Sequence, residues 1–194
     1  HLAPRTEFLD DYQAELGRRV EAIKRRKGPP SKGDDIILSV INDGRLAAID
    51  PRLVLGSNAN TNAMAEDSKL SEMIGNALDI YQRTGNVQFY DPRSNYQTPT
   101  VKGPATQIIF ANLGINPRKG NNFSTYGEIK KHLIAGGVPA DQIAFINDYD
   151  THVAKQRLFN DMNSWRVRFL IGSTQKLSTG INVQKRLAAI HNLD

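Results

Sequence analysis

The chain has 194 residues, 39% apolar and 23% charged, with 25 Lys and Arg against 20 Asp and Glu, a net charge of +5. This excludes a disordered chain, and no run approaches the roughly 18 apolar residues of a membrane span. The absence of cysteine excludes a disulfide framework, a thiol nucleophile and a Cys-ligated zinc site, and suits a reducing cytoplasm.

A basic balance favours phosphate-rich partners. The start at His1, with no apolar signal core behind it, reads as a piece of something longer.

Phe8, Leu9, Tyr12, Leu16, Val20 and Ile23 recur at helical steps, which predicts a first helix stopped by Gly28-Pro29-Pro30. Its end is basic, with Arg18, Arg19, Lys24, Arg25, Arg26 and Lys27. That suits the negative end of a helix dipole and reads either as a phosphate-contacting arm or as a solvated end. A second helix is expected over 34–42. Pro51 argues against uninterrupted helix through 45–55, and 56–62 reads as a loop.

Leu70, Met73, Ile74, Ala77, Leu78 and Tyr81 form the apolar stripe of a helix over 67–84, ended by Gly85-Asn86. Pro92, Pro99, Gly103 and Pro104 mark 87–105 as a long connection with room for a short hairpin. The rhythm then changes. Apolar runs at 107–112, 143–146, 166–171 and 187–191 read as strands, and 125–135 and 151–163 as helices between them. Thr125 and Glu128 have the spacing of a capping box. Strands alternating with amphipathic helices predict an α/β fold, a parallel sheet with helices on both faces. The expected organisation is a helical extension over 1–86, a connection over 87–105 and an α/β domain over 106–194.

Ligands of such sheets gather at the carboxyl ends of the strands. After the third strand comes Gly172-Ser173-Thr174-Gln175-Lys176-Leu177-Ser178-Thr179-Gly180-Ile181-Asn182-Val183-Gln184. The segment is rich in small hydroxyl residues and can bring N–H groups and hydroxyls to phosphate oxygens. By composition alone it also suits an ordinary polar turn. His132, His152 and His191 lack metal-ligand spacing, Asp148 and Asp150 sit where turn and cap formers are expected, and Trp165 reads as a packing residue or a base-stacking platform.

Ser173-Thr174, followed by Gly180-Ile181-Asn182 and Gln184, resembles motif V of superfamily-two helicases, most closely the Swi/Snf-type ATPases. The surroundings match in order. Residues 107–112 resemble the motif IV strand, Gly136-Gly137-Val138 and 143–146 the next helix–strand step, and Lys155, Arg157, Phe159 and Asn163 the helix before motif V. Residues 187–194 resemble the strand after it, and Ser68-Lys69-Leu70 the pre-motif helix. Similar segments occur in large bacterial, phage or plasmid polypeptides that join such a helicase to an adenine-specific DNA methylase. No Asn-Pro-Pro-Tyr-type methylase motif is present in this sequence.

The resemblance implies a second RecA-like motor domain that faces a missing first RecA-like domain across ATP and Mg2+ and tracks DNA without reading bases. It implies phosphate contacts from Ser173 and Thr174, with Lys176 and Lys185 as added contacts. Gly180 and Asn182 would lie near the ATP cleft, supported by Gln184. No Gly-x-x-x-x-Gly-Lys-Ser/Thr loop occurs, and the resemblance ends ahead of the arginine-bearing motif VI. The chain alone is therefore expected neither to hold ATP, hydrolyse it nor unwind a duplex; a non-catalytic binding module is the competing reading. The N-terminal helices are expected to expose apolar surface where they meet the missing domain.

Overall fold

The structure is a computed structural model that describes residues 6–55, 67–118, 120–177 and 182–194. Helix α1 spans Glu7–Arg25, and the Thr6 side chain caps it by accepting the Leu9 N–H at 3.3 Å. Acidic Glu7 and Asp10 occupy its first turn and Lys24 and Arg25 its last, matching the helix dipole. Much of the basic end is engaged internally. Arg19 pairs with Asp35 and, at 2.9 Å, with Asp43, while Arg26 donates to the Asp35 carbonyl at 2.9 Å. Arg18 and Lys24 pair with Glu15 and Glu21 on the exposed face, where ion pairs contribute little.

Helix α2 is Ile37–Ile49, longer than the expected 34–42. Asp43 and Gly44 do not break it. Gly44 lets α1 approach closely, since a Cβ there would stand 3.0 Å from Leu16 Cδ1. Pro51 does interrupt the helix, and a short α3 follows at Arg52–Leu55. Helix α4, Lys69–Arg83, buries Leu70, Met73, Ile74 and Ala77. Ser68 caps it, accepting the Ser71 N–H at 3.1 Å.

The 87–105 connection contains an antiparallel hairpin, β1 (Val87–Tyr90) with β2 (Pro99–Gly103). The remaining strands are β3 (Thr106–Phe110), β4 (Ile143–Phe145), β5 (Phe169–Gly172) and β6 (Leu187–Asn192). They form one four-stranded sheet in the order β4-β5-β3-β6, parallel throughout. Helices α5 (Thr125–Ala135), α6 (His152–Asn163) and the short α7 (Thr174–Leu177) connect them. The α/β expectation holds: this is a helix-flanked parallel sheet, consistent with a RecA-like domain and preceded by a helical extension.

Alternation along the strands divides the core in two. Ile109, Phe169 and Ile171 face α2, α4 and α5 through Leu46, Ile49, Leu70, Ile74, Ile129 and Leu133. Ile108 and Leu170 face α6 through Leu158, Phe159 and Met162. Each such side chain contributes about 1.5–3 kcal/mol by leaving water. Helices α2, α3 and α4 thus share one core with the sheet, whereas α1 buries no residue in it.

The capping box expected at Thr125 is not formed. Ser124 is the N-cap, accepting the Gly127 N–H at 3.2 Å. The Thr125 hydroxyl instead donates to the Leu113 carbonyl at 2.9 Å, and Glu128 pairs with Arg52 at 2.7 Å and with His132 at 2.8 Å. A tertiary partner for Glu128 outcompeted the local one.

Among the described residues, no helix is long and apolar enough to cross a membrane.

Candidate nucleic-acid interface

Because β3, β5 and β6 are parallel, the residues that follow them emerge at one end of the sheet. Strand β5 is buried throughout and ends at Gly172. No side chain fits there: a Cβ would stand 2.4 Å from Ile146 Cγ2 and 2.8 Å from Leu177 Cδ1. The bare Cα lets α7 fold tightly over the strand end. Buried Leu177 anchors it from below, while Thr174, Gln175 and Lys176 lie exposed and Ser173 is half-buried.

Asn112 joins the three strand ends. Its side-chain oxygen accepts the Thr174 N–H at 2.8 Å, and its amide nitrogen donates to Asp194 at 3.1 Å. Its own backbone N–H donates to both Asp194 carboxylate oxygens, at 2.9 and 3.1 Å. Ladder bonds from Ala111 to Gly172 and from Leu193 to Phe110, each 3.0 Å, lie just beneath. A cleft of about 240 Å³ opens beside Asn112, between α2 and the β3–α5 loop, lined in part by Asn42, Gly114 and Arg118. The Tyr126 hydroxyl points at the Ala111 carbonyl beneath this end. Burial first, and the Asp194 charge second, push its pKa up to about 12, so it stays a neutral donor.

The predicted site residues divide between the two ends of the sheet. Ser173, Thr174 and Lys176 share the carboxyl end with Asn112. Asn182, Gln184 and Lys185 stand at the opposite, amino end, since residues 184–186 form a turn leading directly into β6. There the Asn163 amide donates to the Asn182 carbonyl at 2.7 Å and its oxygen accepts the Lys185 N–H at 3.3 Å. Gly180 lies outside the described residues. Leu177 and Val183 are both buried in the core on the α6 face of the sheet.

Sequence reasoning missed Asn112 and Asp194 as site residues. The available signal was an Asn and an Asp each two residues beyond a strand end, where short polar side chains can hold neighbouring strand ends. Of the histidines, His132 meets Glu128, and His191 meets the Gln107 side chain at 2.8 Å. Among the described residues, no group of three His, Asp or Glu side chains could hold a metal ion.

No protein family matches the chain, and no curated protein or solved structure does so either.

Proposed function

We propose that the chain is the second motor lobe of an ATP-driven DNA helicase or translocase of the cytoplasm, supplying phosphate contacts and one face of the ATP cleft, and inactive alone. The observation that carries this reading is the hydroxyl pair Ser173-Thr174 at the open tip of a buried parallel strand. It is held in place by Asn112 and flanked by exposed Lys176. Contacts from such a tip go to phosphates and carry no base information.

The described residues do not fit a complete site for ATP and Mg2+. Among the described residues, no three side chains cluster to bind a metal ion. No hydrolytic step is therefore assigned to this chain. The phosphate-wrapping loop belongs to the missing first RecA-like domain. Leu38 and Ile41 on α2, 71% and 54% exposed, support a place for that domain against the N-terminal helices.

The test is anisotropy of labelled DNA across a salt series. Binding should weaken steeply as salt rises, and the double variant Ser173→Ala/Thr174→Ala should weaken it roughly 2- to 10-fold, as for one or two lost hydrogen bonds. Unchanged affinity in the double variant would remove the motif V assignment. In the parent polypeptide, the same variant should lower DNA-stimulated ATP hydrolysis.

The exposed apolar row on α2 also favours a second reading, a non-catalytic module that binds nucleic acid or docks a protein. It predicts DNA binding with no effect on ATP turnover in the parent.

A further inference from the structure

The amino end of the sheet carries a second surface, on the side away from Ser173 and Thr174. Helix α6 ends at Asn163, Ser164 is its C-cap, and Trp165 takes the next position with φ 61°. That left-handed position usually belongs to glycine, because a Cβ is costly there. Helix α5 ends in the same way with Gly137 at φ 92°. The indole is not compensated by burial, since Trp165 is 45% exposed. A bulky aromatic held outward on strained backbone points to a functional demand on the ring.

Two side chains draw three segments together beside it. Asn163 binds the Asn182 carbonyl and the Lys185 N–H. Arg186 donates from Nε to the Asn163 carbonyl at 3.1 Å and from a terminal nitrogen to the Lys102 carbonyl at 3.2 Å. The Trp165 turn, the entry to β6 and the base of the β1–β2 hairpin thus lie within the span of one guanidinium. Lys102, Lys185 and Arg166 are exposed there. Arg166 has Asp161 at 3.4 Å, whereas neither Lys102 nor Lys185 makes an ion pair among the described residues.

We propose that this surface binds single-stranded nucleic acid, with one base stacked on Trp165 and neighbouring phosphates on Lys102 and Lys185. Charge complementarity selects the partner. An exposed ring among uncompensated lysines suits a polyanion with unpaired bases, whereas the centre of a protein interface is depleted in lysine. The assignment goes beyond the motor reading, because it needs neither ATP nor the contacts at the carboxyl end.

Trp165 is the chain's single tryptophan, so its emission reports on stacking directly. Titrating the 194-residue chain with an oligodeoxythymidylate of about 12 nucleotides, within the range that one binding fold covers, should quench that emission to saturation. The affinity should fall as salt rises. Trp165→Gly relieves the backbone, so it should preserve or raise the melting temperature while weakening binding roughly 5- to 150-fold, the range for one stacked base, read for the tryptophan-free variants by anisotropy of the labelled oligonucleotide. Trp165→Phe should restore part of the loss, and Lys102→Ala/Lys185→Ala should flatten the salt dependence. The quench reports on the ring at Trp165 alone, which separates this proposal from the one at the other end. Absence of quenching, or equal affinity in Trp165→Gly, overturns it. So does emission that responds to protein concentration and not to oligonucleotide, which would assign the ring to a protein–protein contact.

Discussion

The side-chain oxygen of Asn112 accepts the Thr174 N–H at 2.8 Å, so the end of β3 sets the orientation of the turn that follows β5. The same amide donates to Asp194, beyond β6. Neighbouring parallel strands are thereby fastened at the end where the hydroxyl pair emerges. Asn112→Ala should cost about 0.5–1.5 kcal/mol, the net worth of hydrogen bonds that water can replace. It should weaken DNA binding more than that loss of stability accounts for. Asn112→Asp should cost more, because it faces Asp194 with a second carboxylate, and should recover as acid protonates one of them. Urea unfolding at pH 7 and pH 4 reads both effects, and a variant ranking opposite to this would sink the clasp.

A second network ties α3 and the ends of α2 and α4 to α5. Asp50 is fully buried, and its carboxylate takes two bonds from the Arg52 guanidinium, at 2.9 and 2.8 Å, one from the Arg52 backbone N–H at 2.9 Å and one from the Ser68 hydroxyl at 2.9 Å. Arg52 continues to Glu128 on α5 and lies over the Phe123 ring at 4.3 Å. Burial pushes the Glu128 carboxyl up, but the His132 bond and the Arg52 charge more than offset this and hold it below the usual value. Removing one partner of a buried pair leaves an uncompensated charge. Asp50→Ala should therefore destabilise by about 3–5 kcal/mol, and a loss under about 1 kcal/mol by urea denaturation would contradict this account.

Helical and strand periodicity made most of the architecture legible: the alternation after residue 106 predicted the parallel sheet, and the Leu70–Ala77 stripe predicted α4. What escaped depended on distant partners. Glu128 has capping-box spacing from Thr125, yet Arg52, 76 residues away, claims its carboxylate. Asp43 and Gly44 look like helix punctuation, yet Arg19 and Leu16 on α1 give both a role inside α2. At the site, the hydroxyl-rich run was visible as one loop. Leu177 and Val183 are buried on one face of the sheet, and Thr174 and Gln184 stand at its opposite ends. Periodicity could not show this, because the two apolar anchors sit among polar residues.

His191 provides a pH test of the sheet's outer strand. Gln107 donates its amide to the Ala77 carbonyl at 2.9 Å, which leaves its oxygen to accept from His191 Nε2–H. Burial disfavours the imidazolium and lowers the His191 pKa below 6.5. The unfolded chain then binds the proton more readily than the folded one, so this contribution is present above about pH 6.5 and is lost as pH falls through the folded value. His191→Gln keeps an N–H donor but does not titrate. The urea midpoint of the wild type should fall further than that of the variant between pH 7.5 and pH 5. Parallel losses in the two proteins would remove His191 as the source.

Gly172 links stability to the site most directly. It lies at the tip of β5, where Ile146, 1% exposed, and Leu177, 3% exposed, close over its Cα. An added methyl would meet Ile146 Cγ2 at 2.4 Å. Ile146 is packed on every side, so relief must come from displacing α7 and the hydroxyls it carries. Gly172→Ala should cost about 1–3 kcal/mol, as overpacking in a dense core does. It should also weaken DNA binding through Ser173 and Thr174 while leaving the Trp165 quench unchanged, since that turn lies at the other end of the strand. Ile146→Ala in the same chain removes the Cγ2 methyl of that contact, so the two substitutions together should cost less than the sum of each alone, and part of the lost DNA binding should return. Failure of that pairing to recover either quantity would show that Gly172 is not kept bare by Ile146.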